Sequence, residues 1–379
     1  MTNTDAPLTI AFVLLTYSPD EPAGIERAVD SLANGLRELG HRTLIVAAGP
    51  PCRNGPPDLV RLNSVSLPRP MLVDEMLTLL PDPAPVREEV RRVLSERRVD
   101  LVVWADAVAG LGYLSPAPPG ARTALMVHFM RADQSMRESL EHRPDAVLAV
   151  SDFLIDQSRG AGLTCDGWQT LPNAVPVSVD PPGPDRRERL RLSGPVRVVA
   201  RTDPQKGVAE LLRAHPGHEL GRPVEIVLAS ARFEWARGIQ DQVLDECRAL
   251  AEASPEVKIL PALDWREVQP FLADAAVAVV PSTGPESFGN VAAEALSVGT
   301  PVISYGLGYL ATLTGKAGRT VDLDDGPERL WWALARLLDD RAAYHAASQQ
   351  GPQQVAAHTP AAVAREFLHA TMAGAREVS

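Results

Sequence analysis

Residues 276–302 read AVAVVPSTGPESFGNVAAEALSVGTPV. The apolar run Ala276 to Val280 has the length and branching of a buried strand, and the prolines and glycine of Pro281 to Pro285 break it. A helical stretch begins near Gly289 or Asn290 and stops at Gly299, just before Pro301 opens the next apolar run. Strand, loop, helix and strand in immediate succession predict a parallel-sheet crossover. Two carboxylates flank the helix start, Glu286 on the loop and Glu294 in the second turn. On one continuous helix, eight residues at about 100° each would leave them about 80° apart. Because Glu286 precedes the helix, the two can instead approach one ligand from different sides. Between them lie the backbone N–H groups of Phe288, Gly289 and Asn290, at the helix end that attracts anions. An anion cradle flanked by two hydroxyl-binding carboxylates suits a sugar nucleotide.

The same alternation extends over the chain and predicts an α/β fold with two parallel-sheet domains. A first series runs from Leu8 to Leu15 through a helix at about Ile25 to Leu39, closed by Gly40, to strands near Thr43 to Ala47, Leu101 to Trp104, Ala124 to Val127 and Ala146 to Val150. The stretch Val86 to Arg98, dense in Arg and Glu, predicts a helix with a solvated face. The second series begins at Val196 to Ala200 and continues through Val224 to Ala229, Val257 to Leu260, Val277 to Val280 and Val302 to Tyr305. Proline-rich residues 172–195 carry no periodicity and predict a linker. The expected division is an N-terminal domain over 1–175, a linker over 176–195, a C-terminal domain over 196–358, and a last helix within 359–379. Ligands of such sheets bind beyond the carboxyl ends of the strands, so a cleft between two such faces is the place to expect a site.

The chain has 379 residues and a formal net charge of −11, with 45% hydrophobic and 22% charged residues. That balance fits folded domains and argues against nucleic acid as a partner, since no basic stripe could displace its counterions. Cys52, Cys165 and Cys247 are far apart, with no zinc-ligand spacing, and read as thiols of a reducing compartment. No apolar run approaches the roughly 20 residues of a membrane span, and residues 1–7 lack the pattern of a secretory signal. A cytoplasmic protein with no stable membrane insertion is the expectation. Only Lys206, Lys258 and Lys316 are lysines; the other 34 cationic residues are arginines.

The opening segment resembles the E-x7-E region of retaining glycosyltransferases of the GT-B fold in the GT4 group, matching P-S-x-x-E-x-F-G-x-x-x-x-E-A-x-x-x-G-x-P-V nearly throughout. The second series opens on Ala200-Arg201-Thr-Asp-Pro-Gln-Lys206-Gly207, similar to the family's G-R-x-x-x-x-K-G, with Ala200 where Gly is usual. His128, ending Met126-Val127-His128, stands where the family has a histidine near the donor sugar. Val150-Ser151-Asp152, Pro172-Asn173-Ala174-Val175 and Ala23-Gly24-Ile25-Glu26-Arg27 extend the resemblance over most of the chain.

The resemblance implies two Rossmann-like domains facing a cleft. It also implies a nucleoside-diphosphate sugar as co-substrate, UDP-linked by preference, transferred with retention, with no cofactor and no metal required. Arg201 and Lys206 would grip the diphosphate, Glu286 the donor sugar, Glu294 the ribose, and Phe288, Gly289, Asn290 and Gly24 would complete donor binding. His128 would line the reaction centre; Tyr17 and Asp106 are the candidate acceptor-side residues. Residues 1–180 hold 16 arginines against 23 acidic residues, so a small soluble acceptor is expected, a cationic aminocyclitol of an antibiotic pathway suiting the field. Three alternatives share parts of this pattern: a sugar-nucleotide epimerase or hydrolase, a non-catalytic sugar-nucleotide-binding protein, and a nicotinamide-dinucleotide enzyme using Gly306-x-Gly308-x-x-Ala311. The last sits on a late strand without the expected helix and reads as a chance match, while Trp331 and Trp332 both read as core.

Overall fold

The computed structural model describes residues 6–19, 23–49, 55–66, 70–72, 75, 82–105 and 117–372. The chain forms two compact units, Met1–Ala174 with His358–Ser379, and Val175–Ala357. Among the described residues, no helix is long and apolar enough to cross a membrane.

The first unit is built on a parallel sheet of β1 (Thr9–Thr16), β2 (Arg42–Ala48), β3 (Leu59–Arg61), β4 (Leu101–Trp104), β5 (Arg122–Val127), β6 (Ala146–Ala149) and β7 (Gln169–Thr170). Their order is β3-β2-β1-β4-β5-β6-β7. All eight residues of β1 are buried, as expected of a parallel strand covered on both faces. Helix α1 (Gly24–Glu38) turns Val29, Leu32 and Leu36 inward, and Gly40, at φ +88°, ends the turn after it. Helices α2 (Ala84–Glu96), α3 (Gln134–Glu141) and α4 (Asp152–Gly160) follow. Ser151 caps α4 by accepting from the Leu154 amide at 3.2 Å.

The second unit opens with α5 (Pro184–Ser193), and this corrects the expectation of an irregular linker. The helix has almost no apolar stripe, so periodicity could not find it. What holds it is Arg187, 2% exposed. Its guanidinium donates to the carbonyls of Ala275 (2.8 Å), Ala273 (3.3 Å) and Val298 (3.0 Å) and to Thr300 Oγ1 (3.2 Å).

The sheet of this unit comprises β8 (Val196–Arg201), β9 (Val224–Ala229), β10 (Val257–Leu260), β11 (Val277–Val280), β12 (Val302–Tyr305) and β13 (Gly318–Val321) in the parallel order β10-β9-β8-β11-β12-β13. Its helices are α6 (Val208–Arg213), α7 (Ile239–Glu252), α8 (Trp265–Ala273), α9 (Asn290–Ser297), α10 (Leu310–Thr314), α11 (Pro327–Asp339) and α12 (Arg341–Gln354). Trp331 is core, its indole N–H donating to Leu211 O at 3.0 Å. Trp332 is not: it is half exposed, with the Arg329 guanidinium 3.8 Å from its ring centre, because the next position on α11 faces outward.

The last helix, α13 (Pro360–Met372), belongs to the first unit and packs along α1. A side chain at Gly35 would place its Cβ 2.1 Å from Pro360 O, so glycine sets how closely the two helices approach. Phe367 is fully buried with its ring centre 6.1 Å from that of Phe12 on β1.

Candidate donor site

In the second sheet the chain steps outward from β8 through β9 to β10, then returns to the other side of β8 for β11, β12 and β13. The neighbours β8 and β11 therefore send their following loops in opposite directions, and a crevice opens at their carboxyl ends. Arg201 to Gly207 leave β8 there, and Pro281 to Asn290 leave β11.

The first loop is a rigid turn. Asp203 accepts from the Gln205 amide at 3.0 Å and caps the 3-10 turn Pro204–Lys206, after which Gly207 takes φ +66°. A Cβ on Gly207 would lie 2.0 Å from Pro281 O, so only glycine lets the two loops touch. They are stitched further by the Thr283 amide donating to Gln205 O at 2.9 Å. This places Lys206 Nζ 2.5 Å from Glu286 Oε1. Ser282 Oγ donates to the same oxygen at 2.6 Å. Burial pushes the Glu286 carboxyl up, but the Lys206 charge and hydrogen bond, Ser282 and the more distant Arg201 prevail and hold it below the usual carboxylate range. The group is a carboxylate at neutral pH. Arg201 is partly exposed and only loosely paired with Asp203, 3.5 Å away, so its guanidinium can turn to an anion.

Glu286 is also held by its backbone. It forms a parallel bridge with Gly308, and the Tyr309 amide donates to Glu286 O at 2.8 Å. A Cβ on Gly308 would fall 2.4 Å from that same oxygen. The Gly306-x-Gly308 segment is thus a clamp for the carboxylate loop. Phe288, 3% exposed, stacks on Tyr309 with ring centres 5.8 Å apart, so its side chain packs the loop. Gly289, at φ +97°, is the N-cap of α9 and offers no capping side chain, which leaves the helix start to its amides. Asn290 is the first helical residue and Glu294 lies one turn on, 3% exposed. The crevice thus gathers Arg201, Lys206, Glu286 and the start of α9. Ser282 and Gly308 were not singled out as site residues; a hydroxyl four positions before the carboxylate was the available signal for the first.

The remaining candidates belong to the first unit, whose own switch point lies between β1 and β4. Gly24 is the exposed first residue of α1. Glu26 staples the loop after β1, its oxygens accepting from Thr16 Oγ1 at 2.7 Å and from the Ser18 amide. Tyr17 is 1% exposed and its hydroxyl donates to Asp30 Oδ1 at 2.8 Å, so its side chain is packed against α1. Asp106 and Cys52 lie outside the described residues.

His128 follows β5 and is 8% exposed. Burial pushes its imidazole down to about 4, against the opposing effect of a hydrogen bond with Asn173, so the ring is neutral at physiological pH. A neutral buried His destabilises the fold in acid. Its contribution is intact above the unfolded value of about 6.5 and is lost as pH falls from there toward 4, by up to about 3 kcal/mol. His128→Gln is expected to flatten this part of the unfolding free energy between pH 7 and pH 4.5, measured by urea titration; an unchanged profile would show that His128 does not titrate as described.

Two families match the two halves of the chain. Residues 22–179 match the family described as Glycosyltransferase Family 4, and residues 196–340 the family described as Glycosyl transferases group 1. A D-inositol 3-phosphate glycosyltransferase of Acidothermus cellulolyticus is 33% identical over 195 residues, 47% of this chain and 42% of that one. A phosphatidyl-myo-inositol mannosyltransferase of Mycolicibacterium smegmatis is 27% identical over 88% of this chain and 86% of its own length. Among solved structures, Anabaena HepE in complex with UDP and glucose superposes with a TM-score of 0.71 at 16% identity, covering 97% of this chain and all of that one. Both halves of the sequence and the paired parallel-sheet units lead to one assignment: the chain belongs to the GT4-type glycosyltransferases of the GT-B fold.

Proposed function

We propose that this glycosyltransferase moves a sugar, with retention, from a UDP-sugar to a hydroxyl of a cyclitol. The observation that carries the proposal is the convergence of Lys206, Arg201 and the glycine-capped start of α9 on the loop that bears Glu286. Cations and helix amides suit a diphosphate that gains charge as it leaves, and they act where that charge develops. Glu286, held ionised, accepts hydroxyl hydrogens of the donor sugar; Glu294 takes the ribose, and Phe288, Gly289 and Asn290 border the donor. The phosphate oxygens of the donor receive the acceptor proton on the face the leaving group vacates.

The UDP preference is supported by the UDP bound to the structurally similar HepE, and the cyclitol by the inositol in the names of both relatives. An amino group on that cyclitol, as in antibiotic precursors, would suit the acidic first 180 residues. Nucleoside-diphosphate release should be measured for UDP-glucose, UDP-N-acetylglucosamine and GDP-mannose against myo-inositol, an inositol phosphate, an aminocyclitol and phosphatidylinositol vesicles. Turnover that requires a soluble cyclitol and yields the donor's own anomeric configuration by NMR is expected. Equal turnover without acceptor, inverted product or use of vesicles alone would overturn the proposal. With two side-chain cations and a helix start available to the diphosphate, EDTA is expected to change the rate less than twofold; loss of activity restored by magnesium would contradict the metal-free reading.

A further inference from the structure

Among the described residues, two hydrogen bonds reach Glu286 from side chains, and both end on Oε1: Lys206 Nζ at 2.5 Å and Ser282 Oγ at 2.6 Å. Neither goes to Oε2. Ser282 is 3% exposed and sits one residue beyond Pro281, whose carbonyl faces Gly207 at the tightest approach of the two loops. Its hydroxyl cannot wander: the β11 strand fixes it on one side and the Thr283 bond to Gln205 O on the other. The backbone of Glu286 is meanwhile locked by Gly308 and the Tyr309 amide. One oxygen of the carboxylate is therefore saturated and immobilised by the protein, while the other keeps its acceptor capacity for a ligand.

We infer that Ser282 is a positioning residue: by holding Oε1 together with Lys206, it turns Oε2 of Glu286 alone toward the hydroxyls of the donor sugar. A lysine by itself could not do this, because an ammonium can bridge either oxygen and its stem is flexible. The serine bond removes that freedom before the donor arrives. Its effect concerns the sugar and not the nucleotide, since Glu286 is assigned to the sugar. The inference rests on that reading of Glu286.

Titration calorimetry separates the two. The probes are the sugar nucleotide that binds wild type best among UDP-glucose, UDP-N-acetylglucosamine and GDP-mannose, and the same nucleoside diphosphate without sugar. Ser282→Ala is expected to weaken the sugar nucleotide about tenfold and the sugar-free diphosphate less than twofold; the latter also reports that the site is folded. Combined with Glu286→Gln it should add less than twofold to the loss from Glu286→Gln alone, because a residue acting through Glu286 has nothing left to position. Equal weakening of both ligands, or full additivity in the double variant, would overturn the inference about Ser282 while leaving Glu286 in place. Sugar-nucleotide binding unaffected by Glu286→Gln would overturn the donor-sugar reading itself, and Ser282 with it.

Discussion

Lys206→Ala is expected to lower kcat/KM for the donor by about a thousandfold. The ammonium's hydrogen bond to a diphosphate oxygen contributes about 1.5–3 kcal/mol by itself. Its removal also leaves the Glu286 carboxylate, now held in a mostly buried loop by Ser282 and the field of Arg201 alone, facing an anionic ligand. That repulsion adds to the loss, and about 4 kcal/mol together corresponds to three orders of magnitude. The protein should remain folded, because Gly207, Asp203 and Gln205 hold the turn through backbone contacts that the lysine side chain does not make. Lys206→Arg is expected to restore little: the larger planar group does not fit the single short contact to Oε1. Steady-state kinetics with a urea unfolding curve decide the matter. A loss of only a few-fold with normal stability would remove Lys206 from the diphosphate.

Arg187→Ala is expected to destabilise the second unit by about 3–5 kcal/mol. Among the described residues, the buried guanidinium has no carboxylate partner. Two of its acceptors are instead the last carbonyl of α8, Ala273 O, and the carbonyl of Val298, the C-cap of α9, so the negative ends of two helix dipoles meet on one cation. Alanine would strand those carbonyls in an apolar interior and release α5 from the sheet. For a unit of this size, calorimetry should show the transition of the second unit about 10 °C lower, with that of the first unit unmoved. The neighbouring Arg186→Ala, which breaks only an exposed pair with Asp274, should shift it by 2 °C or less. Similar shifts for the two variants would show that the buried network does not hold the unit together.

What could be read in the sequence follows burial. β1 and β11 are buried along their whole length, so their sequences are apolar runs that stand out, while β8 keeps enough of that pattern in Val196, Val198 and Val199 to be read despite its two arginines. β3, β7 and β13 read LVR, QT and GRTV, short or polar because they lie at or near sheet edges, and none appears as a strand in the sequence. α5 was lost for the opposite reason, its anchor being an arginine in a stretch that looks solvated. That Glu286, Arg201 and Lys206 lie together at neighbouring strand ends was legible, because strand ends and glycine turns bracket them. The burial of Tyr17 was not legible, because a loop aromatic in a sequence gives no sign that Asp30, on the helix that follows, will take its hydroxyl. Gly308 was legible only as part of a chance dinucleotide pattern; its reason, the room needed by the Glu286 carbonyl, is a contact across the loop that spacing cannot show.

The return of α13 to the first unit has a temporal side. On the ribosome, residues 175–357 emerge between the two parts of that unit, a delay of roughly 10–40 s at ordinary elongation rates. During that interval the face of α1 around Gly35 and the apolar surface beside Phe12 stay uncovered, while the second unit, contiguous in the chain, can complete itself. Synthesis order is thereby inverted: the half that is made first is the half that finishes last, and nascent-chain pulse proteolysis should find its protection arriving only with the final helix.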